Sequence, residues 1–99
     1  MSYRVRYTRE AKEDLERLYR FFLDQDLLVA RRAKNAINKG MEFLKDFPFA
    51  CRKAISENPF LREMLISFGH SGYVVLFEIE DKTTVTILAI RHQREADYH

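Results

Sequence analysis

Apolar and polar residues alternate at the start of the chain. Tyr3, Val5 and Tyr7 alternate with Arg4 and Arg6. This period of two predicts a short strand with one buried face and one exposed face.

Two stretches with a helical period follow this strand. Thr8 stands where it can cap the first helix, and Asp26 where it can cap the second, which Pro48 ends. Gly40 lies inside the second helix, and its small size predicts a close approach of the two helices. The apolar stripe of the first helix is Ala11, Leu15, Leu18 and Phe22, and that of the second is Ala30, Ala33, Ile37, Met41 and Leu44.

The second half of the chain reads as a loop and three strands. We predict the loop at 48–59, the strands at 61–68, 73–79 and 84–90, and a polar tail at 91–99. Short turns make these strands an antiparallel meander with 73–79 at its centre. Each helix has one apolar stripe, so the hairpin covers one sheet face. The sequence therefore predicts one α+β domain over residues 1–99, a helix layer on a four-stranded sheet. Whether the first strand pairs with the second or the fourth is left open.

Composition narrows the class of protein. Hydrophobic residues make up 46% of the 99 residues, which argues against disorder. The net charge of +2 does not demand a nucleic-acid partner. Cys51 is the only cysteine, so an intrachain disulfide cannot form, and no apolar run has the length of a signal peptide or a membrane helix. We expect a cytoplasmic protein without a membrane partner.

Metal-binding and nucleophilic chemistry have weak support in the sequence. The three histidines show no metal-ligand spacing, so we expect neither a metal nor another cofactor. Cys51 stands beside Arg52 and Lys53, which would lower the pKa of a reactive thiol. The alternative is a half-buried thiol without a chemical role.

Three basic clusters carry more information. The first, Arg4, Arg6 and Arg9, flanks the first strand. The second runs along the second helix, where a solvated face is the simpler interpretation. The third closes the last strand with Arg91, His92 and Arg94, followed by Tyr98. Histidine exchanges protons near neutral pH, and arginine binds phosphates or carboxylates. This cluster indicates either an RNA-cleaving or acid-recognising site, or a frayed cationic terminus. The helix cluster consists of Arg31, Arg32, Lys34 and Lys39.

Four segments together resemble the RelE/ParE toxin superfamily. They are YTREAKEDL at 7–15, LREM at 61–64, SGY at 71–73 and ILAIRHQRE at 87–95. The resemblance extends over essentially the whole chain and in the same order. No single segment is specific, but the combination is. It implies the toxin of a type II toxin–antitoxin system, silenced by a small antitoxin encoded beside it in a hetero-oligomer.

The superfamily has two chemical branches, and the ribosome-dependent ribonuclease branch matches only in part. That branch places an arginine directly after the Gly-Tyr pair, where this chain has Val74. It also has two lysines on the preceding strand, where this chain has Leu65 and Ser67 in the same register. The tail arginine and tyrosine of the branch are matched by Arg94 and Tyr98. Because RNA cleavage needs several cations around the phosphate, this site predicts a poor nuclease.

The gyrase-inhibiting ParE branch matches better, through the Arg-Glu pair of the second strand and the Arg-His pair that closes the last. This resemblance implies binding of DNA gyrase and of a ParD-like antitoxin, with no catalytic residue and no sequence-specific nucleic-acid contact. We expect the antitoxin to cover the sheet–helix seam and to direct acidic groups towards Arg62 or the tail. The predicted partner-binding residues are Arg62, Arg91, His92, Arg94 and Tyr98.

Two other functions stay open. One is a ribosome-dependent mRNA endonuclease that uses His92, Arg94 and Tyr98. The other is an inert relative that only binds the antitoxin.

Overall fold

The computed structural model describes residues 2–93, in which two helices lie on one face of a five-stranded sheet. The α+β class predicted from the sequence is confirmed. None of the helices in this part of the chain is long and apolar enough to cross a membrane. The elements are β1 (Arg4–Tyr7), α1 (Arg9–Leu23), α2 (Leu27–Asp46), a 3-10 turn (Pro48–Ala50), β2 (Arg52–Ile55), β3 (Asn58–Phe68), β4 (Ser71–Ile79) and β5 (Thr84–His92).

The strand order answers the question that the sequence left open. The order is β1-β5-β4-β3-β2, so β1 pairs with the last strand and β4 lies at the centre, as predicted. The pairing of β1 with β5 is parallel and runs from Arg4 opposite Thr84 to Tyr7 opposite Ile87. The other pairs are antiparallel, which confirms the meander of β3, β4 and β5.

The prediction of a four-stranded sheet is wrong by one strand, because the predicted loop at 48–59 contains β2. This strand pairs with the first half of β3 through Arg52 opposite Glu63 and Lys53 opposite Arg62. It has four residues, mostly exposed, so it lacks the apolar alternation that marks a strand with a buried face. β3 also begins earlier than predicted, at Asn58.

Both predicted helix caps are confirmed. The backbone N–H of Ala11 donates to Oγ1 of Thr8 at 3.1 Å, and that of Leu28 donates to Oδ1 of Asp26 at 2.7 Å. Each bond satisfies a backbone donor that has no partner within the helix. The two helices therefore begin where the sequence predicted.

The predicted role of Gly40 is wrong, because this residue faces the sheet and not the other helix. A Cβ atom at Gly40 would lie 2.7 Å from Cδ1 of Ile66 and 3.0 Å from Cε of Met64. The missing side chain thus lets α2 lie close to β3. The predicted helix stripes are buried against the sheet, apart from Leu15, which is half-buried.

The pairing of β1 with β5 ends at Ile87, and α1 with its cap provides the hydrogen-bond partners for the edge of β5 beyond that residue. Beyond that point the Thr8 hydroxyl donates to the Leu88 carbonyl at 3.3 Å, and the backbone N–H of Ile90 donates to Oδ2 of Asp14 at 2.9 Å. The other carboxylate oxygen of Asp14 pairs with Nη1 of Arg91 and lies 3.7 Å from Nη2 of Arg17. Asp14 is buried, and sequence analysis had not singled it out.

Replacing Asp14 with alanine should lower the free energy of unfolding by about 2–3 kcal/mol, because it leaves the Ile90 N–H and a cationic partner uncompensated. Urea unfolding followed by circular dichroism measures the loss. The control is Glu13→Ala on the same helix, which removes only the exposed pair with Arg9 and should cost less than about 0.5 kcal/mol. Equal losses in the two variants would contradict a special role for Asp14.

Candidate partner-binding surfaces

The structure brings together only some of the predicted site residues. Arg91 and His92 occupy the last two positions of β5. Arg62 pairs with Phe77 of β4, whereas Arg91 pairs with Val74, so the two arginines lie on opposite sides of β4 and in different halves of the sheet. The predicted residues Arg94 and Tyr98 lie outside the described part of the chain.

The Arg62 guanidinium is bound within the protein. Its Nε donates to the Pro59 carbonyl at 2.6 Å, and its Nη1 donates to the Cys51 carbonyl at 2.8 Å. The same group lies 5.3 Å from the centre of the Phe49 ring. Arg62 therefore holds the segment around β2 against β3. Its contact with a partner stays a prediction.

Arg91 and His92 occupy a different environment. The Arg91 side chain is 44% exposed although it pairs with Asp14, so part of its guanidinium remains accessible to a partner. The His92 ring meets the Tyr73 ring edge-on, with centroids 5.9 Å apart and planes at 84°. This end of β5 thus combines one accessible cation with an imidazole packed on the core.

The sheet register places Leu65, Val74 and Arg91 in one row across three strands. Leu65 pairs with Val74, and Val74 pairs with Arg91. This row lies on the sheet face opposite the helices, because the neighbouring residues Met64 and Val75 belong to the buried core. Two of the three positions at which the ribonuclease branch would carry cations, Leu65 and Val74, are apolar residues in this row, and the Leu65 side chain is 53% exposed.

We call this side of the sheet the open face. Its centre is apolar, because Leu76 pairs with Ala89 next to the row just described. Its border is charged: Nε of Arg52 lies 3.1 Å from Oε1 of Glu63, and Arg91 lies at the other side. An apolar centre with a charged border is typical of protein–protein interfaces. The apolar residues at the centre of the open face are Leu65, Val74, Leu76 and Ala89.

A second surface lies where α2 meets β3, and we call it the α2–β3 seam. It is a cleft of about 520 Å³ that carries two cations, Arg32 and Lys39. The neighbouring edge of β3 is open, since within residues 2–93 the pairing of β2 with β3 stops at Glu63. The seam is lined by Arg32, Asn35, Ala36, Lys39, Ile66, Ser67 and Phe68.

Cys51 lacks the electrostatic environment of a nucleophile. Burial raises the pKa of its thiol, and the nearby Arg62 guanidinium offsets this only in part. Of its two basic neighbours in the sequence, Arg52 pairs with Glu63. The structure thus favours the alternative of a half-buried thiol without a chemical role.

The sequence did not reveal that the hydroxyl of Tyr73 is a buried polar group. It is 1% exposed, and its hydroxyl has no hydrogen-bond partner among the described residues. Burial raises the pKa of Tyr73 to about 12. A tyrosine in the middle of an apolar strand was the available signal, but the sequence alone does not reveal which groups surround its hydroxyl.

Comparison with known proteins gives a consistent result. Residues 5–97 match the sequence profile of a family described as the ParE toxin of the type II toxin–antitoxin system parDE. Among solved structures, a chain from the chromosomal ParDE TA system of P. aeruginosa superimposes with a TM-score of 0.69 at 21% identity. The match covers 92% of this chain and 96% of that one. No curated protein matches the chain.

Replacing Tyr73 with phenylalanine should change how stability depends on pH. The pKa of Tyr73 rises from 10.0 to about 12 on folding, so the folded state disfavours the phenolate. The contribution of the protonated Tyr73 side chain to the free energy of unfolding is complete below pH 10. It is lost as the pH rises towards 12, which lowers the free energy of unfolding by about 2–3 kcal/mol. Wild type should therefore lose more stability than Tyr73→Phe over this range in urea unfolding. Parallel curves for the two proteins would contradict the burial of this hydroxyl.

Proposed function

Because this chain belongs to the ParE toxin family of type II toxin–antitoxin systems, we propose that it inhibits DNA gyrase by binding and is neutralised by a ParD-like antitoxin. The observation that supports binding over catalysis is the row of Leu65, Val74 and Arg91 on the open face. Stabilising the charge that develops on a cleaved phosphate requires several preorganised cations. This row offers one cation, which is already paired with Asp14.

The open face is the proposed gyrase-binding surface. Leu65 is more than half exposed at its centre, and the charged groups of Arg91 and of the Arg52–Glu63 pair surround it. Burying the apolar centre provides affinity, and the charged border provides orientation. A toxin that acts in this way needs a complementary surface and no reacting group.

The α2–β3 seam is the proposed antitoxin-binding surface. The β3 edge beyond Glu63 offers backbone donors and acceptors to an extended segment, which is a common mode of peptide recognition. Arg32 and Lys39 lie in the same cleft and attract carboxylates. An acidic segment that becomes ordered on this surface fits both features. Arg91, exposed at the end of β5, remains a second contact for its acidic groups.

The purified chain should inhibit gyrase in a supercoiling assay, and Leu65→Glu should weaken the inhibition about tenfold or more by placing a charge in the apolar centre. The matched control is Leu28→Glu on the helix hairpin, since Leu28 is 54% exposed and Leu65 is 53% exposed. That control should inhibit like wild type.

The same preparations should leave ribosome-bound mRNA intact. Absence of inhibition at a large excess of the chain would overturn the gyrase proposal. Cleavage of mRNA that disappears in His92→Ala would instead support the ribonuclease function. Normal growth of cells that express the free chain, without either activity, would favour the inert relative.

The double variant Arg32→Glu plus Lys39→Glu should weaken antitoxin binding about a hundredfold, because it replaces two attractive contacts with two repulsive ones. The control is Arg4→Glu plus Arg6→Glu, which makes the same charge change at the opposite edge of the sheet. Isothermal titration with the cognate antitoxin measures both. Equal weakening would show a dependence on net charge alone and would contradict the seam. A separate double variant, Arg62→Glu plus Arg91→Glu, tests the antitoxin contacts that were predicted from the sequence.

A further inference from the structure

A cleft opens at the end of the sheet where β4 turns into β5. Its volume is about 530 Å³. Three aromatic residues, Tyr3, Phe49 and Phe60, and the turn at 78–82 contribute to its lining. We call this space the end cleft. It is remote from the row on the open face and from the α2–β3 seam, because those surfaces involve the other halves of β3, β4 and β5.

The charged groups that line the end cleft are mostly acidic. The described lining contains the carboxylates of Glu78, Glu80 and Asp81 and a single cation, Lys82. No ion pair within residues 2–93 neutralises these three carboxylates. Hydrogen bonds from the backbone N–H of Thr83 at 2.8 Å and from its hydroxyl at 2.9 Å lower the pKa of Asp81. The end cleft is therefore an acidic concavity in a chain whose net charge is +2.

The aromatic rings beside these carboxylates are accessible. Phe49 and Phe60 are each about half exposed, and their rings meet edge-on with centroids 6.2 Å apart. Phe49 already contacts a cation of this protein, since the Arg62 guanidinium lies 5.3 Å from its ring centre. The exposed Ile55 pairs with Asn58 of the lining, so the apolar surface extends from the end cleft to β2. A small free cation would leave most of this apolar surface uncovered, whereas a protein segment covers it.

The type of cation follows from the lining. Within the described residues, no three Asp, Glu, His or Cys side chains come together as ligands of a metal ion. A guanidinium is planar, so it stacks on an aromatic ring while its N–H groups donate to carboxylates. It is also more weakly hydrated than an ammonium, which lowers the cost of placing it against phenylalanine. The lining therefore favours arginine over lysine and over a metal ion.

We propose that the end cleft binds an arginine side chain carried by a basic segment of a partner protein. The guanidinium stacks against Phe60 and pairs with Glu80 and Asp81, and the neighbouring part of the segment covers the exposed apolar surface. The end cleft shares no residue with the row on the open face or with the α2–β3 seam. The proposal therefore does not depend on the proposed gyrase and antitoxin contacts.

Three peptides that differ only in the central side chain test the proposal. Acetyl-Gly-Arg-Gly-amide carries the guanidinium, its citrulline analogue carries a neutral urea of nearly equal shape, and its lysine analogue carries an ammonium. Each is titrated into the full chain at low salt, and amide shifts are followed in ¹H–¹⁵N spectra. The arginine peptide should shift signals of the residues around the end cleft saturably. The citrulline peptide should bind about tenfold more weakly, and the lysine peptide about threefold more weakly.

A pair of matched variants tests the carboxylates. Glu80→Gln plus Asp81→Asn keeps hydrogen-bond acceptors for Thr86 and Thr83 but removes two charges, and it should weaken binding of the arginine peptide about fivefold. The control Glu10→Gln plus Glu16→Gln removes two exposed carboxylates from α1 and should leave the affinity unchanged.

A second pair of variants tests the aromatic ring. Phe60→Leu keeps an apolar side chain but removes the ring, and it should weaken binding of the arginine peptide about threefold. Phe21→Leu replaces a similarly exposed ring on the helix hairpin and should have no effect.

Three results would overturn the proposal. The first is the absence of a saturable shift near the end cleft, and the second is equal affinity of the arginine peptide and either analogue. The third is a set of shifts at the same residues that depends on the concentration of the chain without any peptide, because a second copy of the chain would then occupy this surface.

Discussion

The carboxylate of Asp14 joins the helix hairpin to the last strand of the sheet. One of its oxygens accepts the backbone N–H of Ile90, and the other pairs with Arg91. β1 is too short to cover the full edge of β5, so the strand would otherwise carry an unsatisfied buried donor beyond Ile87. Thr8 and Asp14, both near the start of α1, supply the missing partners. The position of α1 on the sheet, and of Arg91 at the strand end, thus depends on one buried charge.

Local features of the fold were predictable because their causes are local. The period of two in β1, the apolar stripes of α1 and α2, and the caps Thr8 and Asp26 all follow from residues within a few positions of one another. β2 escaped prediction because its four residues lie at an exposed edge. Asp14 escaped because its partner lies 76 positions away. Gly40 was assigned the wrong neighbour because the sequence does not say which face of α2 meets β3.

The candidate sites divide in the same way. The adjacency of Arg91 and His92 follows directly from the sequence, whereas the pairing of Leu65 with Val74 is known only from the structure. Arg62 lies apart from them because it pairs with Phe77 on one side of β4, whereas Arg91 pairs with Val74 on the other side. The bonds of Arg62 to two carbonyl groups could not be foreseen, since they involve a segment that the sequence presents as a loop. The burial of the Tyr73 side chain depends on the packing of the helix layer on the sheet and has no signature in the sequence.

The parallel pairing of β1 with β5 has a consequence for the order of assembly. The hydroxyl of Thr8 bonds a carbonyl 80 positions later, so the first strand waits for the last before it can join the sheet. A nascent chain that lacks β5 has the helices and the strands β1 to β4, but it has neither the partner strand of β1 nor the partners of Asp14 on β5. The hydrogen bonds of Thr8 and Asp14 to the sheet therefore form only after synthesis of β5. The row of Leu65, Val74 and Arg91 on the open face therefore forms only after β5 has been synthesised and has paired with β4.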